Sequence, residues 1–413
     1  MHKVCHRLPV TSCKRTPEAF TINAYDFLPT STNMLLFDAT HRSLKPVVAE
    51  LQHAGRKGRS RALYQQCIDG MQRARALEDD SAFVLIAQTF GLVIDQDGYS
   101  DASIAWLSEA AERAQRCGEF GEQSHMLHLI GRAYYSRAEY GVAMGYWTEG
   151  MELALRDGDR ISWSWCKLGM GQICDALGAP ELAVLVFAGL GQTLATLTSS
   201  AQRLPMSQWA RFDMRLRELR AVNSVNLGVN ELELGDYGNA LMHLREGMAL
   251  AQAEQMNDIA AECLVRFAEI SALQGQPETA LRQTQEAQRA LEDCSHHWGL
   301  ATLFLLRAKC QSALEHVSEA SASLDLARSA AQRANAQHIA LRIEQEDAAI
   351  AEKYGDLARA LGSMKRAASL QARLDQGSKA HMLRRLQALA DLGGSAAKES
   401  PAFQFGGRWK PEY

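Results

Sequence analysis

The chain has 413 residues, 47% of them hydrophobic and 22% charged, with a formal net charge of −4. That balance lacks the excess of positive charge that marks a nucleic-acid-binding surface. The longest nearly uncharged run, Leu182 to Leu197, falls short of the ~20 apolar residues that span a bilayer. The nine cysteines are odd in number and scattered, without C-x-x-C pairs, so they read as reduced thiols in a cytoplasmic protein.

Residues 1–43 are acid-poor and carry Lys3, Arg7, Lys14 and Arg15 with no helical period. Pro9, Ser12 and Thr16 interrupt any apolar signal core. The segment reads as a loose basic arm; a secretion signal for an effector protein is the alternative. A degenerate helical unit follows around 44–77, with Leu63, Cys67 and Gly70 as its skeleton.

A repeat then takes over. Gly91, Gly131, Gly171, Gly228, Ala268, Ala308 and Ala348 are spaced 40, 40, 57, 40, 40 and 40 residues apart. Twelve residues after each stands another small one (Ser103, Ala143, Ala183, Ala240, Ala280, Ala320, Ala360). Four further on come Leu107, Trp147, Phe187, Leu244, Thr284, Leu324 and Met364. Seven after the first anchor stand Gly98, Gly178, Gly235, Gly275 and Gly355, with Ala138 and Glu315 as departures. The small anchors let neighbouring helices approach, and the late glycines fit the left-handed residue that ends a helix. Each unit reads as helix, tight turn, helix.

Ile130-Gly131-Arg132-Ala133-Tyr134, with Ala143, Trp147 and Gly150, resembles the tetratricopeptide repeat (TPR), as do Leu227-Gly228, Gly235-Asp236-Tyr237, Ala240 and Leu244. The resemblance covers about residues 81–375. It implies an all-α fold: a right-handed α-solenoid of about seven to eight TPR-like helical hairpins with a C-terminal capping helix. The usual period is 34 residues, so each helix here gains about three. Such elongated units are similar to bacterial regulatory arrays: those preceding GGDEF diguanylate cyclase domains, and the peptide-receptor regulators of Gram-positive bacteria. The GGDEF motif itself is absent from this sequence, so the resemblance carries no cyclase activity.

The 57-residue gap divides a front array (44–198) from a back array (207–375) through a linker at 199–206. Ser207 reads as an N-cap, and the next helix runs long, from about Gln208 to Leu234. Residues 376–392 read as a further helix with Met382, Leu383, Leu386, Leu389 and Ala390 on one side. That side either covers the last repeat or makes a homodimer. The tail 393–413 is Gly-, Ser- and Pro-containing but aromatic (Phe403, Phe405, Trp409, Tyr413).

No phosphate-binding loop, dinucleotide fingerprint or H-E-x-x-H occurs, so no catalytic residue, metal or cofactor is assigned. A zinc or thiol centre at Cys294, His296, His297 and Cys310 is the enzyme alternative. In TPR proteins the first helix of each unit lines the concave groove. That resemblance selects His125, His128, Arg132 and Tyr135, then Trp165, Gln172 and Asp175, then Arg266 and Lys309. Asn223, Asn226 and Asn230 add an amide stripe beside valines, suited to an extended chain or simply to packing. The expected partner is a protein or peptide, with neither nucleic acid nor membrane. The basic stretch Arg211, Arg215, Arg217 and Arg220 is broken by Asp213 and Glu218 and reads as a solvated helix face.

Overall fold

The computed structural model describes residues 44–57, 60–201, 206–374 and 379–393. The arm before residue 44, the middle of the linker and the aromatic tail lie outside them. Eight helical hairpins follow one another. The first is α1 (Lys45–Lys57) with α2 (Arg61–Ala76). Then come α3 (Asp80–Val93) with α4 (Asp101–Arg116), α5 (Phe120–Ser136) with α6 (Tyr140–Asp157), and α7 (Arg160–Ala176) with α8 (Pro180–Ala201). The back half holds α9 (Met206–Glu233) with α10 (Tyr237–Ala253) and α11 (Asn257–Leu273) with α12 (Pro277–Asp293). It ends with α13 (His297–Ala313) and α14 (Val317–Arg333), α15 (Gln337–Lys353) and α16 (Leu357–Leu374), and a last helix, α17 (Lys379–Gly393). No strand occurs among the described residues. The fold is an all-α solenoid of TPR-like hairpins.

Two layers follow from the neighbours of each helix. Odd-numbered helices touch the next odd-numbered helix, from α1·α3 through to α13·α15, as well as their own hairpin partners. The layer whose members crowd together is the inner, concave one; α2, α4, α6 and their successors form the outer layer. Both layers are cemented by large side chains of one unit seated on small residues of its neighbours. Trp147 of α6 is fully buried between Gly131 of α5 and Gly169 of α7. A Cβ at Gly131 would lie 2.3 Å from its Nε1, and one at Gly169 would lie 2.5 Å from its Cε2. The indole N–H donates to the His128 carbonyl at 3.0 Å. Phe187 likewise occupies the space that Gly171 leaves open.

The turn within each of seven hairpins has a left-handed residue at a fixed place, and in the α3–α4 turn Tyr99 follows Gly98 as a second one. Gly98, Gly178, Gly235, Gly275 and Gly355 have φ between 67° and 80°. Ala138 and Glu315, the two departures from glycine, adopt the same conformation at φ 63°. The second kind of turn, from one hairpin to the next, repeats the device at Glu78, Gly118, Gly158, Gln255, Ser295 and Asn335.

Three expectations change. The apolar stretch Pro180–Leu197 is long and apolar enough, by length and composition alone, to cross a membrane. Yet it is a packed solenoid helix: Leu182, Val186, Phe187, Leu190, Leu194 and Leu197 are buried among α7, α9 and α17. The last helix, α17, does not cover the final hairpin. It turns back to α8 and α7, where Met382 and Leu386 are buried. Leu357, Leu361 and Met364 of α16 consequently stay 71%, 54% and 47% exposed. Met382 and Leu386 of α17, expected at the end of the stack or between copies, are thus buried within the chain.

Candidate binding site on the inner face

The concave face is enclosed because the stack curls until its seventh and eighth hairpins meet its second and third. The amide of Asn335, in the α14–α15 turn, donates to the carbonyl of Gly98, in the α3–α4 turn, at 3.2 Å. Next to it the ring of Tyr135 (α5) lies 6.0 Å from His338 (α15), which lies 6.1 Å from Trp298 (α13). On the front side Tyr135 also meets Tyr140 at 5.7 Å and Trp147 at 6.1 Å. An aromatic bridge therefore joins the two halves across the inner face.

Charged side chains converge behind this bridge. The carboxylate of Asp175, at the C-terminal end of α7, makes no hydrogen bond or ion pair with another described residue, while its backbone carbonyl accepts from the Gly178 N–H at 2.8 Å. Burial pushes its carboxyl up to about 6, and the charge of Glu233 at the end of α9 pushes the same way against Arg266 and Arg342. The Tyr140 hydroxyl, which feels the charge of Asp175, is buried and has no hydrogen-bond partner. Burial pushes the Tyr135 phenol well above its ordinary value, with Asp175 adding to the shift. Buried polar atoms are normally satisfied. The orphaned Tyr140 hydroxyl and the half-buried, unpaired Asp175 carboxylate are acceptors that no donor among the described residues meets. Opposite them, Arg266 pairs with Glu269 at 2.7 Å and Lys309 with Glu346 at 3.7 Å. Burial would raise the Glu269 carboxyl, but Arg266, Arg342 and Lys309 outweigh it and hold it low. The inner face thus carries unpaired acid on α7 and α9 and cationic groups on α11, α13 and α15.

The twelve residues selected from sequence divide between this surface and the interior. Tyr135, Asp175, Arg266 and Lys309 come together as described, and Gln172 stands one turn before Asp175 on α7. His128 is instead buried between Trp147 and Trp165, with ring distances of 6.3 and 5.3 Å. Burial pulls its imidazole down to about 3, so it stays neutral. His125 stacks on it at 6.0 Å. Arg132 donates to the Gly91 carbonyl, which ties α5 to α3. The amide stripe is likewise spent on the chain itself. Asn223 is buried and donates to the Phe187 carbonyl at 3.2 Å. Asn226 and Asn230 bond the carbonyls of Val222 and Asn226, one turn back, each at 2.8 Å. Asn223 and Asn230 thus sit in packing rather than on the groove surface.

Glu233, Tyr140, His338 and Trp298 were not singled out by sequence reasoning. The meeting of Tyr135 with His338, about 200 positions apart, leaves no local mark in the sequence. The metal alternative fails on geometry: no group of three or more His, Cys, Asp or Glu among the described residues is placed to hold an ion. Burial also pushes the thiols of Cys67, Cys174 and Cys263 up to about 12 and that of Cys310 to about 11. The basic stretch of α9 is engaged inside the chain, Arg217 with Glu254 at 2.8 Å and Arg215 with the Ser162 hydroxyl at 3.4 Å.

No protein-family model matches the chain, and no protein of curated function matches it in sequence. Solved structures do match in shape. A Rap protein complexed with Competence and Sporulation Factor superposes with a TM-score of 0.55 at 12% identity, over 79% of this chain and 86% of that one. The apo form of RapI gives 0.48 at 13% identity over 67% and 93%. Aspartyl phosphate phosphatase F from Bacillus subtilis gives 0.43 at 12% over 84% and 97%. At these identities the similarity is one of fold. The first of these structures supports the helical-repeat architecture.

Proposed function

We propose that this chain is a non-enzymatic regulatory or scaffold protein that binds a peptide or protein segment on the inner face of its superhelix. The observation that carries this reading is the unpaired Asp175 carboxylate, enclosed beside Glu233 and the orphaned Tyr140 hydroxyl. A cationic group of the ligand satisfies all three, and the half-buried Tyr135 offers a ring face to it. Arg342, which makes no ion pair, meets an anionic group on the far side. A protein of similar fold is complexed with a factor, which agrees with this use of the scaffold. The setting that fits is a cytoplasmic bacterial regulator, akin to the sensor arrays whose long repeats this sequence resembles, with no catalytic step of its own.

The test is affinity capture from the native cell with wild type and with Asp175→Asn plus Glu233→Gln, circular dichroism confirming equal helix content. A specific partner is expected to be retained by wild type and lost by the variant. Its binding to wild type rises as pH passes from 5 to 7, because the Asp175 carboxylate ionises near 6. Partners that survive the double substitution unchanged would overturn the inner-face reading.

A further inference from the structure

The outer layer holds a second concavity, on the opposite side of the molecule from the site just described. It measures about 490 Å³ and lies between α10 and α12, with α11 as its floor. That volume is within the range of small-ligand sites, about 300–1,000 Å³. On α11 the inner face is carried by Glu262, Arg266 and Glu269, whereas the cavity takes Phe267, Ile270, Ser271 and Gln274 from the other side of the same helix. Leu241 and Met248 of α10 complete an apolar floor with Phe267 and Ile270.

The rim is polar in a particular way. It carries Arg245, Gln252, Gln274 and Gln283 and not one carboxylate, in a chain whose acidic residues outnumber its basic ones, 48 to 44. Arg245 is exposed and makes no ion pair or hydrogen bond. Across the cavity, the Gln283 side-chain oxygen is buried without a donor. A ligand that satisfies this set must bring a carboxylate for Arg245, an N–H for Gln283 and an apolar group for the floor. A fatty acid supplies the first and last but leaves the buried Gln283 acceptor unmet. The C-terminal residue of a peptide supplies all three.

We propose that the α10–α12 cavity is a docking site for a peptide ending in a large apolar residue with a free carboxylate. The carboxylate pairs with Arg245, the last backbone N–H donates to Gln283, and the side chain rests on Leu241, Met248, Phe267 and Ile270. Recognition here is independent of the inner face.

The probe is a pool of fluorescein-labelled hexapeptides, randomised except for a C-terminal Phe, Leu or Met, offered to the full chain as free acids and as C-terminal amides. Fluorescence anisotropy is expected to show binding of the acids, weakened at least tenfold by amidation. Arg245→Ala is expected to weaken the acids by a similar factor and to leave the amides where they were. Ser271→Trp, which fills the cavity from its floor, is expected to remove binding, and Gln283→Leu to weaken it, with unchanged circular dichroism in each case. Asp175→Asn leaves this binding intact, which separates its failure from failure of the inner-face reading. Equal binding of acids and amides, indifference to Arg245→Ala, or no binding by any peptide of the pool overturns the proposal. Arg245-dependent binding of dodecanoate in place of the peptides also overturns it, in favour of a lipid ligand.

Discussion

At the scale of single residues, the turns show how much of the repeat is backbone conformation rather than side-chain contact. Gly275 and Gly355 are left-handed, and a Cβ at either would meet nothing within 4 Å. Replacing Gly275 with Ala therefore costs only the left-handed backbone penalty, about 1–2 kcal/mol. Glu315 already bears that penalty at φ 63°. Glu315→Gly is expected to stabilise the chain by ~1 kcal/mol and Gly275→Ala to destabilise it by a similar amount. Urea unfolding midpoints check both, and opposite signs are the expected result. The glycines against Trp147 behave differently. Gly131→Ala and Gly169→Ala push a methyl into the indole, and overpacking of this kind costs about 1–3 kcal/mol. The turn glycines and Gly131 were legible in the sequence because each recurs at a fixed offset, whereas Gly169 has no counterpart in the other units. Ala138 and Glu315 show why spacing outranks residue type: the turn geometry is kept where glycine is not.

Single helices carry the second lesson, and α17 is the clearest case. Its apolar side, with Met382 and Leu386, was readable from helical spacing, but its destination was not. A stripe tells a helix to bury one face and leaves the partner unnamed. Here the partner is α8, whose extension past the usual repeat length presents Leu194 and Leu197. Leu386→Ala should destabilise the chain by about 2–5 kcal/mol, the range for truncating a fully buried leucine. The measurement is chemical denaturation, and a loss below ~0.5 kcal/mol would show that α17 does not dock as described. The asparagine stripe of α9 was open to either binding or packing, and Asn223 and Asn230 went to packing for a related reason. An amide on a helix can bond the carbonyl one turn back, as Asn226 and Asn230 do, and that choice is made by burial. Element boundaries fared better: α9 was expected over 208–234 and spans Met206–Glu233.

At the scale of the whole molecule, the curvature of the stack brings distant units together. The hydrogen bond from Asn335 to Gly98 and the contact of Tyr135 with His338 couple residues over 200 positions apart. Asn335→Ala combined with His338→Ala is expected to raise the radius of gyration in small-angle scattering while circular dichroism stays constant. An unchanged scattering profile would mean that the closure is held elsewhere. The candidate site was half legible for the same reason. Asp175, Arg266 and Lys309 follow from the register of each unit, because concave positions repeat with the period. His338 joins them only through the closure, which is a sum of small rotations over many interfaces, whereas Glu233 comes from α9, the inner helix next to α7.

Open solenoids tolerate the gain or loss of whole units, since each hairpin contacts only its neighbours. Where the α14–α15 turn must land on the α3–α4 turn, that freedom disappears. Deleting one 40-residue unit would leave every local interface intact and still move Asn335 away from Gly98. The number of hairpins in this chain is therefore constrained by its geometry, as the number of staves is in a barrel.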